Sequence, residues 1–96
     1  MKQLTDEKIA KYLDVTSRAL AKVKIAPPDP SHLRDVANDF LKMARAYFDD
    51  ATHFAAQGDY VNAFACVNYA HGWLDAGARL GLWDVAGDDV LFTLSK

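Results

Sequence analysis

The sequence predicts an all-α protein, an antiparallel three-helix bundle formed by a single domain over residues 1–96. Three observations predict it. Apolar residues recur at helical spacing in three separate stretches, a proline cluster divides the first two, and Gln57-Gly58-Asp59-Tyr60 turns the chain tightly between the last two. With 51% hydrophobic and 25% charged residues, the chain has ordinary globular composition and enough apolar surface for one core.

The first helix is predicted over about residues 6–24. Thr5 supplies a hydroxyl cap, and Asp6 and Glu7 place negative charge at the positive end of the helix dipole. Ile9, Tyr12, Leu13, Thr16, Ala19, Leu20 and Val23 then share one face. Ala26-Pro27-Pro28-Asp29-Pro30 ends the helix, because proline disfavours helical geometry in the residue before it.

The second helix is predicted over about residues 31–57, capped by Ser31. Its apolar face runs from Leu33 through Val36, Phe40, Met43, Tyr47 and Phe48 to Phe54. Gly58 closes it in a left-handed conformation and Asp59 caps the next helix, so the two form an αα-hairpin.

The third helix, about residues 60–80, is apolar on two sides. Phe64, Val67, Ala70, His71, Leu74 and Ala78 form one face; Tyr69, Trp73, Ala76 and Leu80 form another. Ala63, Ala70 and Gly77 recur every seventh residue, as do Ala37, Ala44 and Ala51, so these rows are expected where the two hairpin helices touch. After Gly81, the apolar run beginning Leu82-Trp83 is expected to pack back on the bundle, over the Tyr69/Trp73/Leu80 stripe. The competing expectation has that stripe meet another subunit.

Charge and motifs narrow the function classes. Eleven basic and thirteen acidic residues give a net charge of −2, which provides no general attraction for nucleic acid or anionic lipid. No apolar run is long enough to span a bilayer and the N-terminus has no signal-peptide pattern, so a cytoplasmic protein with no membrane partner is expected. Cys66 is the sole cysteine, ruling out an internal disulfide or a thiolate metal site. Phosphate-loop, dinucleotide and HExxH patterns are absent, and no histidine has a nucleophile at a recognised spacing. No catalytic residue, metal or cofactor is therefore assigned.

Two candidate surfaces remain, both on the third helix. Asn68, His71, Asp75 and Arg79 lie three or four residues apart, a spacing that suits either a polar-ligand edge or a local network satisfying the histidine. If a ligand binds, a pocket between the second and third helices is expected. Tyr69, Trp73, Leu80 and Trp83 are the interface candidates, since large aromatic residues dominate protein contacts. Asp49, Asp50 and His53 read as a solvated face, while Lys8, Lys11, Arg18, Lys22 and Lys24 give the first helix a basic bias diluted by its acids.

The leading expectation is a non-enzymatic interaction module that pairs with itself or another protein. A small-ligand or nucleotide-binding domain is the alternative, and an RNA-associated helical domain is third.

The stretch Ala51-x-x-Phe54-x-x-x-Gly58-Asp59-Tyr60-x-x-Ala63 resembles the inter-helix portion of a tetratricopeptide repeat, but no second copy follows it. The signature of the higher-eukaryote and prokaryote nucleotide-binding ribonucleases is not met, because residues 46–52 put too long a gap between Arg45 and His53. A wider likeness rests on Tyr47-Phe48-x-Asp50-Ala51, Gly58-Asp59-Tyr60-x-x-Ala63-Phe64 and Asn68-Tyr69-Ala70-His71-Gly72-Trp73-Leu74-Asp75-Ala76-Gly77-x-x-Leu80-Gly81. In these runs the chain resembles the short archaeal proteins of domain of unknown function family 357. That resemblance implies a small three-helix bundle from an archaeal source and carries over no catalytic residue.

Overall fold

Three helices and a minimal two-stranded sheet make up the computed structural model, which describes residues 5–85. In chain order these are α1 (Asp6–Lys22), β1 (Lys24–Ile25), α2 (His32–Ala56), α3 (Tyr60–Arg79) and β2 (Trp83–Asp84). The all-α bundle read from the sequence is the observed fold.

Each helix begins on the cap its sequence provides. The side-chain oxygens of Thr5, Ser31 and Asp59 accept from the amides of Lys8, Arg34 and Asn62 at 3.2, 3.1 and 3.2 Å, satisfying donors that have no partner inside the helix. The helix ends are equally explicit. Gly58 and Gly81 adopt φ of +75° and +74°, a region that costs other residues steric strain. Both complete Schellman motifs: Asp59 N–H donates to Phe54 O and Gly58 N–H to Ala55 O, while Leu82 N–H donates to Gly77 O and Gly81 N–H to Ala78 O.

The hairpin of α2 and α3 is the most extensive packing in the molecule. Ala37, Ala44 and Ala51 on one helix, and Ala63 and Ala70 on the other, are completely buried, and Gly77 is buried too. Small side chains here let the two backbones approach, and Leu41 and Leu74 share a buried cluster with Ala37 and Ala44. Complete burial of Val67 or Leu74 contributes roughly 1.5–3 kcal/mol each.

Helix α1 lies beside α3 and runs the same way. Asp6 accepts a hydrogen bond from the Tyr60 hydroxyl, Tyr12 packs edge-on against Phe64 with ring centroids 5.1 Å apart, and Thr16 meets His71. Where the sequence predicts two further helical residues, the chain turns extended at Val23 and Lys24–Ile25 becomes a strand. It pairs antiparallel with β2, Lys24 opposite Asp84 and Ile25 opposite Trp83. Ala26 N–H extends the ladder to Leu82 O at 2.9 Å. Backbone pairing with a distant segment, invisible to local periodicity, thus overrides helical propensity.

The segment after Gly81 packs back on the bundle, but in a different place from the expected one. Leu82, Trp83 and Val85 enter the core shared by Ala19, Ala37, Leu41 and Leu74. Tyr69 and Leu80 remain 63% and 65% exposed, so these residues do not cover the outer stripe of α3. The rest of the expected tail packing falls beyond Val85, outside the described residues.

Candidate functional site

Two surfaces meet on α3. The first is a groove of about 330 Å³ between α1 and α3. Tyr12 and Val15 form its α1 wall and Val67 its α3 floor. Asn68, His71 and Asp75 edge it, as helical spacing of three and four residues requires.

Thr16 anchors this edge from across the groove. Its side chain is only 2% exposed, and its Oγ1 lies 3.1 Å from His71 Nδ1. His71 Nε2 is 3.6 Å from Asp75 Oδ1, in reach of an ion pair when the imidazole is protonated. With the proton on Nε2, the Thr16 hydroxyl donates to Nδ1 and the ring N–H points toward the carboxylate. The order hydroxyl, imidazole, carboxylate is that of a nucleophilic triad, but the buried Thr16 oxygen has no access to a substrate carbonyl. The chain of contacts fixes the imidazole plane.

The sequence brings four polar residues to this edge; the structure brings three. Arg79 sits exposed in the last turn of α3, away from the groove. The concavity also differs from the expected one, since it lies between α1 and α3 rather than α2 and α3. The α2–α3 seam is closed by its alanine rows. Sequence reasoning missed Thr16, Tyr12 and Val15 as site residues. The one available signal was a threonine on the apolar face of α1, a polar side chain that burial obliges to find a partner.

The second surface is the outer face of α3. Val61, Tyr69 and Leu80 are exposed there, with a shallow depression among Asn68, Tyr69, Gly72, Trp73 and Ala76. Tyr69 stacks on Tyr47 of α2 at 5.3 Å and 24°, while Trp73 is half-buried edge-on to Phe40 at 4.9 Å. The fourth expected interface residue lies elsewhere. Trp83 is 3% exposed, its Nε1–H donating to Leu74 O at 3.1 Å, so it is a core residue with no surface to offer a partner.

Among the described residues, other titratable groups do not build a site. No three His, Cys, Asp or Glu side chains converge as a metal ion would require, among the described residues. Burial, reinforced by Asp50 and Asp59, pushes the Cys66 thiol above its ordinary range. Donation to Asp6 chiefly raises the Tyr60 hydroxyl, whose phenolate would face that carboxylate. Asp49, Asp50 and His53 are exposed, and Arg18 on the basic side of α1 is 3.9 Å from Asp14. No helix among the described residues is long and apolar enough to cross a membrane.

A family profile described as protein of unknown function (DUF357) matches residues 11–83, covering α1 from its second turn, the whole hairpin and the start of β2. The chain belongs to this family. The DUF357 match includes both walls of the groove and the outer face of α3, as well as the Gly77–Trp83 contact in the core. No curated protein and no solved structure matches the chain.

Proposed function

We propose that this DUF357 protein is a helical interaction module that pairs with a second copy of itself through the outer face of α3. The observation that carries the reading is the order of large and small side chains along that face. Val61, Ala65, Tyr69, Gly72, Ala76 and Leu80 form one stripe at about 100° per residue. A two-fold axis between Gly72 and Trp73, with the second α3 antiparallel, sets Tyr69 against the copy's Ala76. It also sets Leu80 against Ala65 and Trp73 against Gly72. Each of these three pairings sets a large residue against a small one, the self-complementarity that a symmetric contact needs, while Val61 falls opposite a position beyond the end of α3.

Gly72 supports the same reading. A glycine in a helix interior costs about 1 kcal/mol relative to alanine. Apart from its chain neighbours and its own helix backbone, nothing lies within 4 Å of where its Cβ would be, so packing against the rest of the bundle does not require it. A helix approaching closely from outside would use the space it leaves. The face is one helix wide, so the contact belongs at the small end of specific interfaces, about 1,200 Å² in total, with reversible association.

Sedimentation velocity over a concentration series tests the proposal on wild type and Tyr69→Arg. A monomer–dimer equilibrium that Tyr69→Arg abolishes, with helical circular dichroism unchanged, is the expected result. A wild type that stays monomeric at the highest attainable concentration overturns it.

A further inference from the structure

We infer that the groove between α1 and α3 binds a small aromatic amine. This site does not depend on the pairing surface, although Asn68 and Gly72 border both.

Shape comes first. A volume of about 330 Å³ is at the lower end of small-molecule sites, roughly 300–1,000 Å³, and suits a bicyclic body rather than a cofactor. The walls are apolar and already formed: the Tyr12 ring is held edge-on by Phe64, Val15 faces it, and Val67 is buried beneath.

Charge then selects the ligand. Among the described residues no lysine or arginine lines the groove; the ionisable side chains there are Tyr12, His71 and Asp75. Arg79, the residue that would have received a phosphate or carboxylate, is outside. An anion entering here would be desolvated beside Asp75 without a dedicated cation, whereas an ammonium group gains a charge-assisted hydrogen bond. A carboxylate offers about four acceptor positions. A ligand N–H therefore adds to the contacts Asp75 already makes rather than displacing His71. The Asn68 side-chain oxygen provides a neutral acceptor on the same edge.

The Thr16 to His71 contact gives the edge its rigidity. Both ring nitrogens are directed at protein groups, so the imidazole serves as a fixed wall beside the Asp75 carboxylate. A preorganised edge lowers the ordering cost of binding.

Two probes with the same ring and opposite charge, tryptamine and indole-3-acetate, test the inference when titrated into the full chain followed by amide NMR. Tryptamine is expected to shift the resonances of Val15, Thr16, Asn68 and Gly72 together, and indole-3-acetate to bind about tenfold more weakly or worse. Asp75→Asn should erase the preference for the amine. Tyr12→Ala, which removes an apolar wall and leaves Asp75 in place, should weaken both probes. Absence of groove shifts with tryptamine, equal affinity for the two probes, or a preference that survives Asp75→Asn would each overturn it. Loss of pairing in Tyr69→Arg with groove shifts retained separates this site from the pairing face.

Discussion

The indole ring of Trp83 occupies the space that a side chain on Gly77 would need. A Cβ built on Gly77 falls inside the six-membered ring's van der Waals envelope, and the same indole is tethered to Leu74 O one turn earlier. Helix α3 thus uses its buried glycine to admit an aromatic residue from the following segment.

Gly77→Ala should consequently destabilise the protein despite alanine's better helix propensity. The overpacking cost is about 1–3 kcal/mol, exceeding the roughly 1 kcal/mol that propensity returns. Urea denaturation measures it. In a Trp83→Leu background the same substitution should cost less, since the ring that collides is gone.

Gly72→Ala should do the opposite. Its Cβ meets nothing beyond its chain neighbours and its own helix backbone, so the folded monomer gains up to about 1 kcal/mol. Dimerisation should weaken, because the methyl lies in the proposed contact. Urea denaturation at low concentration and sedimentation at high concentration read the two effects separately.

Thr16→Val keeps the shape of a buried side chain and removes its hydroxyl. His71 Nδ1 then loses its partner at a half-buried position, and a loss of about 1 kcal/mol is expected in thermal or urea unfolding. Thr16→Ser, which retains the hydroxyl, should preserve the position of the His71 ring resonances.

Cys66 should be a slow thiol. Its pKa lies above the ordinary 9.0, first because of burial and then because of Asp50 and Asp59. At any pH below that value the thiolate fraction is smaller than in a short peptide, so iodoacetamide labelling should be slower and its pH midpoint higher. Asp50→Asn should move the midpoint down.

Much of this architecture was legible because helices announce themselves locally. Thr5, Ser31 and Asp59 cap where capping chemistry says they should, and Gly58 and Gly81 end helices as left-handed residues. The alanine rows marked the hairpin seam for the same reason. The relation between α1 and α3 was not legible, since periodicity shows which face of a helix is apolar but not which neighbour it meets. Thr16 and His71 are far apart in sequence, and only the parallel course of α1 beside α3 joins them. The same limit hid the pairing of Lys24–Ile25 with Trp83–Asp84, and it placed Trp83 on the surface when its role is in the core.

That short pairing has a kinetic meaning. The α2–α3 hairpin is built from contacts near in sequence and has little loop entropy to overcome, so it is expected to form early. Bridging β1 to β2 must draw the segment after α1 to the segment after α3, a closure whose entropic cost is recovered only once Leu82, Trp83 and Val85 have found the core. Among the described elements the clasp is thus expected to close after the hairpin, and it makes the docking of α1 and the burial of Leu82, Trp83 and Val85 a single event.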